Sequence, residues 1–460
     1  MNRERSGACR SKTKWKLWLV PAFATALSLL PAGADTSEAA GAEIMWDERM
    51  VVASGKGHRG PWQMNASEWY FVDDPTVGIN QQGEIGVAWV DQDRHDIFFQ
   101  VYEPDARPRF DEPVNISRSP NTFSWLPRLV MDSDEPDEVF VLWQEIIFSG
   151  GTHGGEIFFA RSDDGGKHFS TPQNLSNTVA GAGKGRLREQ IWYNGSLDLA
   201  GGAEGDLYAA WTVYEGGLFF SRSVDGGNSF QEPLKIAGAK GDLPARGPSL
   251  AVFQQEIRLV WAVGEDKEGD LHFSMSGDAG KTFSPPQTLF ATDGYSEAPK
   301  ITADSNGTFH LVFAESPMGP LQQYHVRYSR STGETGGFTE PETISDGHSR
   351  KFASVGFPYL DLDGQGTLFV MWEIFPEGGI RPESLGFTFS QDGKSFAPPM
   401  VVPGTLDPEQ GFNGSQQGLY MAKLAAGPSG ELAVVNSTFK PKESSRIWLI
   451  RGLTQHPSSR

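Results

Sequence analysis

The chain has 460 residues, a single cysteine, and 58 Asp+Glu against 39 Lys+Arg, for a formal net charge of −19. That acidity argues against nucleic acid or an anionic membrane surface as a partner. One cysteine excludes an internal disulfide or a multi-cysteine metal site, and the length is enough to bury a large core.

In chain order, the first segment reads as an export leader. Arg3, Arg5, Arg10, Lys12, Lys14 and Lys16 precede the apolar run LWLVPAFATALSLL, and Ala32 and Ala34 are the small residues before a cleavage point at Asp35. Pro21 interrupts that run, which is short for a bilayer span of roughly 20 residues. Residues 1–34 are therefore expected to be a signal peptide and 35–460 a single domain, secreted or periplasmic, not inserted in a membrane after cleavage, and monomeric. Cleavage would remove Cys9 and leave the remaining chain more acidic still.

Beyond the leader the chain repeats itself. Pairs of short apolar strands recur, the first reading EIGVAWV, EVFVLWQ, DLYAAWT, EIRLVWA, TFHLVFA, TLFVMWE and ELAVVNS. The second reads DIFFQVY, EIFFARS, GLFFSRS, DLHFSMS, HVRYSRS, LGFTFS and RIWLIRG. A further strand precedes each pair, as in SWLPRLVMD, PARGPSLAVF and SEAPKITAD, and a short Pro-containing strand follows the first six pairs. Four antiparallel strands in a unit of roughly 50–65 residues cannot bury both faces alone, so neighbouring units must stack, and radial stacking makes a β-propeller. The fold expected is all-β, with seven four-stranded blades. The seventh copy lacks its outer strand, and RMVVAS (Arg49–Ser54) is placed to supply it from the N-terminal side; six blades is the alternative.

One phrase punctuates the repeat. Ser-x-Asp-x-Gly-x-x-Phe occurs at Ser162–Phe169, Ser223–Phe230 and Ser276–Phe283, with a shortened copy from Ser390 to Phe396. In a hairpin turn the Asp carboxylate accepts backbone N–H bonds, Ser supports it, Gly supplies positive φ and the Phe plugs apolar space. Turn stabilisation is therefore the reading preferred over catalysis for Asp164, Asp225, Asp278 and Asp392. SDDGGKHF, SVDGGNSF and SGDAGKTF resemble the Asp-box, or bacterial neuraminidase, repeat of sialidase-like propellers. That resemblance implies boxes on one face of the ring and ligands at the central mouth of the other.

The residues at that implied mouth are chemically mixed. The candidates for catalysis are His58, Asp91, His95, Glu189 and Tyr420. Those for substrate binding are Arg59, Trp62, Arg94, Trp125, Arg188, Arg246, Tyr295, Glu297 and Arg350. Histidines suit proton transfer near neutral pH, and guanidinium groups hold carboxylates bidentately. Similar seven-bladed polysaccharide lyases use mouth histidines in this way. Sialidases open their first blade with a Phe/Tyr-Arg-Ile-Pro element, where this chain reads FVDDP (Phe71–Pro75); an acid replaces the arginine, which argues against true sialidase activity. The stretch DLDGQG from Asp361 resembles part of a calcium loop but fits a hairpin turn, so no metal and no cofactor are expected. Trp89, Trp143, Trp211, Trp261 and Trp372, with Phe313 once, share one strand position and read as packing between blades. Two function classes stay open: an enzyme acting on acidic glycans as glycoside hydrolase or polysaccharide lyase, or a non-catalytic propeller that binds glycan, protein or another extracellular ligand or serves as an assembly factor. Convergence of His58, His95, Arg188, Glu189 and Arg246 in one pocket would favour the enzyme.

Overall fold

The computed structural model describes residues 43–455 apart from 62–67, 120–121, 132–134, 136, 147–154, 178–183, 189–190, 195–196, 214–215, 239–241, 265–268, 321, 332–336, 348–353, 378, 380 and 407–419. The proposed signal segment 1–34 lies outside them. Seven antiparallel sheets follow one another along the chain, and no α-helix occurs among the described residues. The inner strands are Val72–Ile79, Phe123–Val130, Leu197–Gly201, Ala245–Phe253, Tyr295–Ala303, Ser354–Leu362 and Leu424–Ala426. In blades 1 to 6 each inner strand is followed by three more in sequential order, giving four strands per blade.

Blade 7 closes as the sequence led us to expect. Its third strand, Ser444–Gln455, pairs with Met50–Gly55, with Met50 opposite Leu449 and Gly55 opposite Ser445. Glu43–Trp46 extends along the far end of the same strand. The junction is stitched by Ser445, whose hydroxyl donates to the Lys56 carbonyl at 2.8 Å and accepts the Val72 N–H at 2.9 Å. Closure covers the long edge of Ser444–Gln455 with two short N-terminal strands.

Blade packing explains the repeated tryptophans. Trp89, Trp143, Trp211, Trp261 and Trp372 are all buried in the second strands. Cross-strand stacking on Phe98, Phe158 and Phe219, at centroid distances of 6.3, 6.0 and 6.4 Å, braces the first three blades.

The repeated phrase works between blades as well as within its own turn. Ser162, Ser223 and Ser276 donate to Asp164, Asp225 and Asp278 at 2.9, 2.7 and 2.7 Å and accept the N–H of Gly166, Gly227 and Gly280. Each carboxylate also accepts the N–H of the residue four positions on, at 2.9 Å in all three turns. In the shortened copy Asp392 accepts from Ser390, Lys394 and Ser395. A Cβ on Gly166 would lie 2.2 Å from the Phe99 ring of the preceding blade, and one on Gly227 would lie 2.7 Å from Phe159. The closing Phe lands on the same neighbour: Phe169 on Phe99, Phe230 on Phe159, Phe283 on Phe220 and Phe396 on Tyr328. Each turn thus caps one blade and packs its aromatic against the one before.

Candidate functional site

Antiparallel alternation puts the Asp turns at one end of each blade. The loops from second to third strand, and the approaches to the inner strands, lie at the other. At that end the inner strands share an irregularity. Their register shifts after Asp73, Trp125, Arg246, Glu297 and Gly356. The next residues, Asp74, Leu126, Gly247, Ala298 and Phe357, have φ between 51° and 56°, and a proline follows every one. Left-handed backbone just before proline is costly for non-glycine residues and persists where the surroundings impose it. A bulge of this kind re-aims the side chains on either side of it. The five residues preceding the bulge differ in every blade: acid, indole, guanidinium, acid and no side chain.

One group of side chains spans blades 6, 7, 1 and 2. The strand pair His58–Arg59 and Trp69–Tyr70 crosses this end, with Arg59 over the Trp69 ring at 4.8 Å. Arg381 lies over Phe439 at 5.3 Å. Phe71 joins the two aromatics, 5.6 Å from Trp69 and 5.1 Å from Phe439. The two guanidinium groups thus sit at the ends of one aromatic row. Partial desolvation and the like charge of Arg381 lower the Arg59 pKa, opposed by the charges of Asp73 and Asp74. Both carboxylates are buried. Asp73 accepts the Ser437 hydroxyl at 2.5 Å, and Asp74 accepts the Trp125 indole N–H. Beside them Lys423 pairs with Glu373, which also accepts from Asn436 at 3.3 Å.

The other candidates fall into separate places. His58 is exposed and stacks on Tyr70 at 5.4 Å, on the opposite side of the strand pair from Arg59 and Trp69. His95 stacks on Phe123 at 4.7 Å, so different aromatic rings hold the two histidines. Asp91 and Arg94 belong to one turn, in which Asp91 accepts the N–H groups of Asp93 and Arg94 and meets the Arg94 guanidinium at 3.6 Å. Burial raises the Asp91 pKa against those donors. Trp125 is buried with its indole directed to Asp74, an arrangement for packing and hydrogen bonding rather than sugar stacking. Tyr420 packs edge-on against Phe357 at 5.0 Å, and its carbonyl accepts from Arg128 at 3.1 Å.

Arg246, Tyr295 and Glu297 do meet, between blades 4 and 5. Arg246 donates to the Tyr295 hydroxyl at 2.8 Å, and that hydroxyl donates to Glu297 at 3.2 Å. All three are buried, and burial raises the Glu297 pKa despite Arg246, Tyr324 and Tyr295. Arg188 closes the strand Lys184–Arg188, paired with Ile191–Asn194. Its side chain, and residues Trp62, Glu189 and Arg350, lie outside what the structure describes.

Reading the loops by composition overlooked Arg381, Asp198, Lys300 and Tyr359. The signal was the prolines. Aligning DDP, WLP, RGP, EAP and GFP puts Thr76, Arg128, Ser249, Lys300 and Tyr359 at one level, and Asp198 of blade 3 shares it, since Asp198 faces Ala210 as Thr76 faces Ala88. Arg381, in contrast, has no repeat marker. Among the described residues no group of three His, Cys, Asp or Glu is placed to hold a metal ion.

No protein-family model and no curated protein sequence matches the chain. Solved structures do share its fold. A polysaccharide lyase, the PL25 ulvan lyase, superposes with a TM-score of 0.55 at 13% identity, covering 89% of this chain and 98% of its own. A protein of unknown function from Dyadobacter fermentans superposes at 0.50 with 14% identity, covering 75% and 99%. The NanB sialidase of Streptococcus pneumoniae follows at 0.46 with 10% identity, covering 75% and 70%. The chain has the propeller fold of the lyase.

Proposed function

We propose that this protein is an exported enzyme that cleaves acidic glycans as a polysaccharide lyase, holding a uronate carboxylate between Arg59 and Arg381. The observation that carries the reading is the seating of two guanidinium groups on one aromatic row at the mouth. Elimination from a uronate needs the carboxylate neutralised so that the C5 proton becomes acidic, and paired arginines do that. A base then takes the C5 proton, its electron pair forms the C4–C5 double bond, and the C4–O bond breaks with a proton delivered to the leaving oxygen. His58 is exposed but lies on the opposite side of the strand pair from Arg59, so the proton transfer is assigned to none of the described side chains. Hydrolysis is disfavoured because it needs two carboxylates open to the sugar. The carboxylates nearest the arginines, Asp73 and Asp74, are buried and engaged by Ser437 and Trp125. The lyase sharing the fold is recorded bound to GlcA(1-4)Rha3S, itself an acidic repeat.

The test is digestion of uronic-acid polysaccharides, followed by ultraviolet absorbance of the unsaturated uronate and by reducing-end release. Both signals should appear together, and Arg59→Ala or Arg381→Ala should lower kcat/KM roughly 100-fold. Reducing ends without absorbance would establish hydrolysis instead. Binding without cleavage would establish a non-catalytic glycan receptor.

A further inference from the structure

Inside the ring, below the mouth, lies a cavity of about 240 Å³ to which all seven inner strands contribute. It runs from the level of Asp198, Ser249, Lys300 and Tyr359 down to strand ends such as Ile79 and Thr302, toward the face that carries the Asp turns. At ~30 Å³ per molecule it has room for several waters or a small organic acid.

At its upper end Lys300, on the wall, and Arg128, behind it, share the carboxylate of Asp198. Lys300 is buried, and its ammonium meets the Tyr359 ring at 5.3 Å. Among the described residues it forms no ion pair within contact distance. Asp198, the carboxylate closest in influence, accepts the Leu250 N–H at 2.8 Å. Arg128, also buried, gives its terminal nitrogens to Pro127, Tyr420 and Met421 and leaves Nε without an acceptor. Its charge acts on Lys300 and shares Asp198 with it. Farther along the wall, Asp361 accepts the N–H groups of Leu362 and Ala426. Burial, only partly offset by Asp198, brings Lys300 to about 8. A buried ammonium on a cavity wall calls for an acceptor there.

We propose that the channel is a second binding site, separate from the mouth, which takes a small oxyanion, a carboxylate or sulfate, on the Lys300 ammonium with Tyr359 and Ser249 beside it. The proposal does not depend on the lyase reading, since an inactive mouth would leave the channel unchanged. Acetylation of the whole protein at pH 8, read by mass spectrometry of the peptide carrying Lys300, tests it with sodium glucuronate, sodium sulfate and sodium chloride at equal ionic strength. Saturable protection of Lys300 by glucuronate or sulfate, but not chloride, is expected; preference for glucuronate would mark a sugar acid, and equal protection any oxyanion. Thermal melts should show a matching saturable rise, with the midpoint at least about tenfold higher in Lys300→Met. Labelling indifferent to all three anions, or a non-saturating melt response equal in wild type and Lys300→Met, would overturn it.

Discussion

The two ends of the propeller use the same repeat in opposite ways. At the turn end, equivalent positions hold the same residues and satisfy one another locally: Ser binds Asp, Asp binds the backbone, and Phe packs on the preceding blade. At the mouth, equivalent positions hold Asp73, Trp125, Arg246, Glu297 and Gly356, and the first three reach partners on other blades. Repetition marks what every blade needs to pack. Departure from it, on backbone held at positive φ before proline, marks where side chains answer to something other than the blade.

That contrast can be broken most severely at a repeated core position. Trp211→Ala should cost about 3–5 kcal/mol by denaturant unfolding, since it empties a fully buried site against Phe219. A loss under 1 kcal/mol would mean that the blade core is not set by its tryptophan layer.

The turn end should respond less, and through pH. Hydrogen bonds from Thr282 and Ser276 hold the Asp278 carboxylate down at about 2, below its ordinary 3.8. The folded pKa is the lower one, so its stabilisation is complete above about pH 4 and lost as pH falls toward 2. Asp278→Asn should shift the acid limb of the stability curve by a few tenths of a pH unit while the proposed glycan cleavage stays unchanged. A loss of activity would move this turn from architecture to function.

The smallest effect belongs to a neighbouring hairpin at the turn end, whose Gln255 carbonyl accepts the Ala279 N–H of the Asp278 turn at 2.9 Å. Phe253 faces Glu256, leaving the two-residue turn Gln254–Gln255 with Gln254 at φ 55°. That first turn position favours glycine. Gln254→Gly should raise stability by about 0.4–1 kcal/mol, read as a higher melting temperature, with no change at the mouth.

How much could be read beforehand follows the same division. Seven strand pairs, six outer strands and an orphan strand at Arg49–Ser54 led to the count of seven and the closure, because each blade needs the same apolar alternation. Arg246, Tyr295 and Glu297 were picked by chemistry, and they meet, but in a buried cluster between two blades. His58 and His95 looked alike in the sequence yet rest on different aromatic rings, since strand alternation turns His58 away from Arg59.

From the sequence alone came the blade, its count and the turn that carries the Asp, because periodic hydrophobicity and local hydrogen bonding act over a few residues. Only the closed ring decided that Arg59 comes within the electrostatic reach of Arg381, that Asp73 meets Ser437 and that Lys300 lines a cavity shared by seven inner strands. Those neighbours are far apart in the chain, and nothing local to any one of them specifies the other. Closing the ring brings the first blade against the last and turns seven inner strands toward one axis.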